Sequence, residues 1–443
     1  MRKLAIEDIA CAAILAFFAM QGAIPFIAPN QALEATNTAA SGLTVVGGIT
    51  SQLLVDGVIT FLLLRHARKV FPWLSAMQWA APLSLLVIAS VLWSQFPLVT
   101  ARRSLGFVLA GLFGLYFAVR FPLRRQLSIV WMAMVALAIS TAVMALCFPK
   151  LGLEASAGHH GDWQGVFTQK NACGRMMVLA TAGLLAEKRW SFLRVTSLLV
   201  FLFVMIMSGS RGAWLVEAAV LALYALLQIA GRFDSRSRVV LALAGLCAAI
   251  VIAGAAVYYL PLLTRLVGRD ATLSGRTEIW KHVWPFILHR PLLGWGYAGF
   301  WRGIQGESFN VVAALRFIVF HAHNGFLEIW LELGILGLIF FALSYLRAWR
   351  KLWPVLRSGD INRVTWMVFV LVLIGLYGLD ENTLLIPNGL FWMIYVATLA
   401  NIELLVAENR FARGLRWAKP SRAIADAKTH CLKNRYDEAL STR

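Results

Sequence analysis

Apolar residues run along this chain in long unbroken blocks separated by short basic clusters. A block such as Val239 to Leu260 is long enough to cross a bilayer core, which takes about 20 helical residues. The blocks are continuous and do not alternate, so they predict helices; a lipid-facing β-barrel would show short alternating segments. The pattern predicts twelve spans, at about 8 to 28, 42 to 64, 76 to 93, 105 to 119, 127 to 147, 172 to 186, 195 to 207, 213 to 230, 239 to 260, 325 to 345, 364 to 379 and 389 to 406. The fold class expected is therefore an all-α polytopic membrane protein. A transmembrane helical domain would occupy 1–406 and a basic cytoplasmic tail 407–443.

Composition agrees. Hydrophobic residues make up 60% of the 443 and charged residues 14%, against roughly 45–50% apolar in soluble domains. That excludes a soluble enzyme, a disordered scaffold and a collagen-like fibre. The five cysteines are scattered without a C-x-x-C pair, so neither a disulfide framework nor a zinc site is expected.

A net charge of +19 would suggest nucleic acid in a soluble protein. Here the positions matter more than the sum, and no nucleic-acid partner is expected. With the N-terminus in the cytoplasm, the clusters Arg2-Lys3, Arg65 to Lys69, Arg120 to Arg125, Lys188 to Arg194, Arg232 to Arg238 and Arg347 to Arg363, together with the tail, fall on one side. That is the positive-inside pattern. The first span, beside Glu7-Asp8, is read as a retained helix and not a cleaved signal. The other basic residues lie on the disfavoured outer face: Arg102, Arg103, Lys150, Lys170, Arg175, Arg211 and a group within 261–324. His159, His160, His282, His289, His321 and His323 share that face. Solvated loops would account for any one of them, but the clustering suggests that something there needs positive charge.

Residues 261–324 form the one large outer loop, a natural lid or substrate platform. Within it, Glu278 to Arg290 carries apolar residues at helical spacing with Pro285 as a kink, which suits an amphipathic helix at headgroup level. The run Gly294 to Trp301 alternates glycine with aromatics. Its rings would offer flat faces to sugars or form an ordinary aromatic belt.

Three segments carry candidate chemistry. In Ser208 to Leu215, Arg211 falls in the first turn of a helix, where the dipole repels a cation unless an anion uses both. Ser208 or Ser210 as cap, free amides and the guanidinium would form a phosphate cradle; the plainer alternative is an arginine that snorkels or pairs with Glu217. In Ser274 to Trp280, Arg276 follows a turn set by Gly275 and could grip a second phosphate. In His321 to Leu338, Asn324 is a helix cap, and Glu328 and Glu332 share a face where outer arginines are the obvious partners. His323 sits at the mouth of that helix, either as a general base or as a water-satisfied surface residue. Lys170-Asn171 and Arg102-Arg103 are further outer patches, with interfacial anchoring as their plainer role. There is no phosphate-binding loop of the P-loop type, and the adjacent Asp380-Glu381 is too little to define a metal site.

At these residues the chain resembles the O-antigen ligase and polymerase family of membrane glycosyltransferases, over about 93–345. Arg211 with Leu215, Gly275-Arg276 followed by Pro291, Gly294 and Gly296, and His323-Asn324 with Gly334 and Gly337 carry the likeness, joined by Trp163, Gly165, Lys170 and Asn171. Ligases often continue past the last glycine with Thr-Thr, whereas this chain has Leu338-Ile339, so the pattern is more similar to exopolysaccharide repeat-unit polymerases. The resemblance implies a C-type glycosyltransferase-like fold in the bacterial inner membrane, without metal or cofactor, with both termini cytoplasmic and a periplasmic loop at 261–324. It also implies inverting transfer from an undecaprenyl-diphosphate-linked oligosaccharide, with membrane lipids, a flippase and chain-length or export proteins as partners. His323, Arg211 and Arg276 would then be catalytic, and Arg102, Lys170, Asn171, Arg290, His321, Asn324 and Glu328 would bind substrate. Two other classes compete: a transporter of an anionic lipid or solute, which would also want outer arginines, and a non-enzymatic assembly partner, which would tolerate Arg and His substitutions at these motifs but not substitutions on helix surfaces.

Overall fold

A computed structural model describes residues 5–22, 42–78, 80–154, 161–187, 190–234, 237 and 275–414. Helices of eight residues or more, numbered in chain order, are α1 Ile6–Ala19, α2 Gly42–Arg65, α3 Ala81–Ala89, α4 Pro97–Arg120, α5 Leu123–Cys147, α6 Lys170–Leu185, α7 Phe192–Met207, α8 Arg211–Ala230, α9 Arg276–His289, α10 Ser308–Leu315, α11 Gly325–Ser358, α12 Ile361–Asp380 and α13 Leu390–Gly414. Among the described residues there is no strand, only the isolated bridge Leu153 to Trp163.

Seven of these helices are long and apolar enough to cross a membrane: α2, α4, α5, α8, α11, α12 and α13. Ala81–Leu92 and α7 are apolar but shorter. Every expected span carries a helix except 239 to 260, which lies outside the described residues, as do Arg265, Arg269, His159, His160 and the tail beyond 414. The fourth span differs from expectation. Its helix starts at Pro97, well before the apolar run, because proline at the first turn is pre-set for helix and needs no amide partner. Arg102 and Arg103 therefore lie on α4 and not in a loop.

Helices α4 and α13 pack closely because Gly114 leaves room: a Cβ there would lie 2.4 Å from the Met393 carbonyl oxygen. Beside that contact the Phe107 and Trp392 rings stack at 4.3 Å, and Trp392 Nε1 donates to the Phe107 carbonyl at 3.0 Å. Helix α6 is apolar all round and buried from Ala172 to Leu185, among α5, α7, α8 and α12. That interior position carries Asn171 and Arg175 into the middle of the bundle end.

Helix α11 is interrupted. Gly334 adopts φ 67°, ψ −171°, and a Cβ there would lie 2.1 Å from the Leu292 carbonyl oxygen. The break frees two carbonyls and two amides, and the preceding loop takes them up in pairs. Trp295 and Gly296 donate to the carbonyls of Leu331 and Glu332, both at 2.9 Å, while Ile335 donates to Pro291 at 2.8 Å and Leu336 to Leu292 at 3.5 Å. Unpaired backbone groups are costly in an apolar setting, so this exchange fixes the loop to the helix.

Packed on that joint, Ile279, Val283, Ile287, Trp295, Phe300 and Trp301 form a second hydrophobic core. The rings of Gly294 to Trp301 are thus buried, Trp295, Phe300 and Trp301 in the loop's own core and Tyr297 against Phe107 in the main one, which corrects both roles expected for them. Repeating glycines let the backbone turn tightly enough to fold the rings inward.

Candidate active site

Four loops expected on one face of the membrane meet at one end of the bundle, around one buried carboxylate. Glu381, at the end of α12, is 2% exposed. Its Oε1 accepts from Asn171 Nδ2 at 3.2 Å and lies 3.3 Å from His323 Nδ1 and 3.4 Å from Arg276 Nη2. Its Oε2 lies 3.7 Å from His321 Nε2 and 3.8 Å from Nη1 of Arg175. Arg276 also pairs with Asp380. Two acids and two arginines therefore balance formally, with two imidazoles at the edge.

Local structure explains how each group arrives. Asn324 caps α11 as expected, its Oδ1 accepting from the Phe326 and Leu327 amides, both at 3.0 Å. The buried Ala322 is clamped twice, its amide donating to Glu328 Oε2 at 2.7 Å and its carbonyl accepting from Trp280 Nε1 at 2.8 Å. Between these anchors His323 adopts φ 49°, a conformation that side chains other than glycine rarely take and one that clusters at functional sites. Its amide donates to His321 Nδ1 at 3.2 Å, and the two rings lie 4.0 Å apart. A nitrogen that accepts carries no proton, so His321 bears its hydrogen on Nε2, toward Glu381. Gly275 supplies the left-handed turn, φ 84°, from which Arg276 starts α9.

The electrostatics follow from burial. Burial, with the neighbouring His323 ring, pushes the His321 imidazole down to about 3, and although Glu381 opposes this, Arg175 and Arg276 add to it. Burial alone would raise the Glu381 carboxyl. The hydrogen bond from His323 and the His321, His323 and Arg175 groups overcome that and hold it well below the usual carboxylate range. At neutral pH the acid is ionised and His321 is neutral.

His321, His323 and Glu381 offer donor atoms within 4.8 Å of one another, close enough for a divalent ion. Both oxygens of that carboxylate, however, already face guanidinium groups. A cation there would meet two positive charges, so the set is better matched to a charge-assisted hydrogen-bond array than to a metal.

Arg211, the first residue of α8, is exposed and makes no ion pair among the described residues. It sits beside the array, since a Cβ on the next residue, Gly212, would lie 2.6 Å from Asp380 Oδ2. Ser210 is at the N-cap but makes no capping hydrogen bond; its hydroxyl donates to Asn171 Oδ1 at 3.0 Å. Glu217 is buried with Thr181 beside it, so pairing with Arg211 is not what it does.

Other candidates lie elsewhere. Lys170 pairs with Asp162 at 2.7 Å. Arg290 lies over the Trp295 ring, 4.2 Å from its centroid, and donates to the Trp93 carbonyl at 3.3 Å, so it braces the loop. Arg102 belongs with Arg103, Arg302 and Glu332 in a neighbouring charge group. The arginine partner expected for Glu328 is replaced by the Ala322 amide, because the side chain is buried under the loop it holds.

Asp380, Glu381 and Arg175 are site residues that no motif in the sequence marks. The only signal was adjacent acids ending a span, facing outer arginines. The Ala322 clamp is testable by replacing Trp280 with phenylalanine, which keeps a ring but removes the donor. The expected cost is about 1 kcal/mol, with faster amide exchange confined to residues 321–324, measured by mass spectrometry.

What the fold and site define is a multi-span membrane protein with a cationic, histidine-bearing centre at one end of its bundle. Residues 196–342 match the family model described as O-Antigen ligase. The chain is also similar to the exopolysaccharide production protein ExoQ of Rhizobium meliloti (strain 1021), with 26% identity over 387 residues, 84% of this chain and 86% of that protein. Both likenesses point the same way as the motif resemblance.

Proposed function

We propose that this protein is a membrane glycosyltransferase that polymerises exopolysaccharide or O-antigen repeat units at the periplasmic face of the inner membrane. The donor is an undecaprenyl-diphosphate-linked glycan and the acceptor a sugar hydroxyl on another. The observation that carries this reading is the convergence on Glu381 of His323, Arg276 and Asn171 from separate elements, with Arg211 beside them.

In this reading the ionised Glu381 keeps a proton on His323 Nδ1, leaving Nε2 as the base. Nε2 takes the proton of the acceptor hydroxyl, and the oxygen attacks the anomeric carbon from the face opposite the leaving group. The bond from that carbon to the phosphate oxygen breaks, and its electron pair leaves with the diphosphate. Arg211, the α8 amides and Arg276 receive the growing negative charge. Arg276 would loosen its hold on Asp380 to do so, which keeps the cation from standing unpaired before substrate arrives. No further energy source is required, since the phosphoester bond is the activated one.

The name of the matched family model favours a second reading, ligation of glycan to a lipid A core or protein. Purified protein in lipid vesicles, given a lipid-linked repeat unit, separates the possibilities on a gel. A ladder is expected for a polymerase. One capped product that appears only with an added lipid A core or protein acceptor would assign ligation. Substrate crossing the bilayer without bond formation would assign transport, and no product with any acceptor would overturn the enzymatic reading.

A further inference from the structure

Arg175 is the one strongly buried cation at this centre, 2% exposed and lodged in α6 on the protein side of Glu381. Its Nη1 lies 3.8 Å from Glu381 Oε2, and its guanidinium carbon lies 6.0 Å from the Tyr377 ring centroid, one turn back along α12. Arg175 Nε and Nη1, Glu381 Oε2 and Tyr377 Oη are all buried without a hydrogen-bond partner. A buried, under-satisfied charged group is costly and calls for an explanation. Arg276 alone would neutralise Glu381, so the second arginine is not needed for charge balance of that residue. With Asp380 included, both are needed.

Resting on the transferase reading above, we propose that Arg175 is a positioning residue for the reaction: from beneath, it holds the Glu381 carboxylate charged and aimed at His323. At 2% exposed, its guanidinium does not reach substrate directly. Its action passes through Glu381, whose other oxygen faces His323. Besides Arg175, the groups facing the carboxylate are Asn171 from α6, Arg276 from α9, and His321 and His323 from the loop before α11; behind them Ser210 at the start of α8 holds Asn171, Asp380 holds Arg276, and Tyr377 of α12 lies near Arg175. Lys170 is held by Asp162, Glu328 by the Ala322 amide, and Glu217 on α8 is close enough to Tyr377 to interact with it electrostatically.

Removing a cation from this set has a definite sign. A carboxylate that loses its positive neighbour takes up a proton at higher pH, and so does His321 once relieved of the same repulsion. Both changes disable the centre as pH falls, and both begin at a higher pH than in the unaltered protein. Arg175→Met is therefore expected to raise the pH at which Glu381 takes up its proton by about one unit, while Arg175→Lys restores the original value.

The test does not depend on turnover. Infrared difference spectra across a pH titration, in full-length protein in lipid vesicles, follow the protonated carboxyl band of Glu381, assigned by its loss in Glu381→Gln. Its appearance at higher pH in Arg175→Met, reversed by Arg175→Lys, is the expected result. An unchanged titration in Arg175→Met overturns the proposal. If Arg175→Met fails to fold, the Arg175→Met/Glu381→Gln double variant removes both charges and is expected to recover the fold but not transfer; recovery of transfer overturns the proposal. A shifted band in protein that transfers no glycan supports the role of Arg175 and overturns the transferase reading instead.

Discussion

Glu381→Ala is expected to abolish glycan transfer and to lower stability by about 3–5 kcal/mol, the cost of leaving a buried charge without its partner. Arg175 is that charge, and Asn171, His321, His323 and Arg276 lose a common acceptor in the same step. Glu381→Gln separates the two losses. It can still accept from Asn171 but carries no charge, so the proton on His323 Nδ1 is no longer favoured over Nε2. A fall in rate of about 100-fold or more is expected for a base held in the wrong tautomer. Thermal melting in detergent checks the first effect, and the rate of lipid-linked glycan consumption the second. Glu381→Ala protein with ordinary melting and ordinary rate would remove the carboxylate from the centre of the account.

Gly334→Val is expected to have an effect of similar size by a different route. At φ 67° a branched side chain is strained by a few kcal/mol, and its Cβ would meet the Leu292 carbonyl oxygen at 2.1 Å. Either the helix straightens or the loop lets go. In both cases the four backbone hydrogen bonds between 291–296 and 331–336 are lost, and with them the seat of the second hydrophobic core. Limited proteolysis should then cleave between residues 290 and 310 in the variant before the unaltered protein is touched. Gly183→Ala is the useful contrast, because the added methyl would meet only the Trp366 and Val130 side chains, at 3.7 and 3.9 Å, which is ordinary van der Waals contact.

Much of this was legible in the sequence, for reasons that particular residues make clear. Lipid leaves an unbroken apolar signature, so the helices were plain, and the relative sidedness of loops followed from the basic clusters. Asn324 announced itself as a cap through its residue type and position. Arg276 and His323 stood out as ionisable groups beside a glycine turn and a helix mouth. What sequence could not supply was pairing at long range. Arg276 meets Asp380 more than a hundred positions away, and nothing local to Asp380-Glu381 distinguishes a hub from an ordinary loop. Arg175 was hidden for the opposite reason: one arginine in an apolar run resembles a headgroup anchor until α6 is seen to be enclosed on all sides. The aromatic run misled because alternation with glycine suits an exposed platform and a tightly folded core equally well.

Binding measured apart from turnover tests the central claim most directly. A fluorescent polyprenyl-diphosphate glycan should bind the unaltered protein and His323→Gln with similar affinity, while His323→Gln forms no new glycosidic bond. Arg211→Ala and Arg276→Ala should each weaken that binding by about tenfold or more, the scale of one charge-assisted contact to phosphate. Equal binding by the two arginine variants and the unaltered protein would show that the diphosphate sits elsewhere and contradict the account.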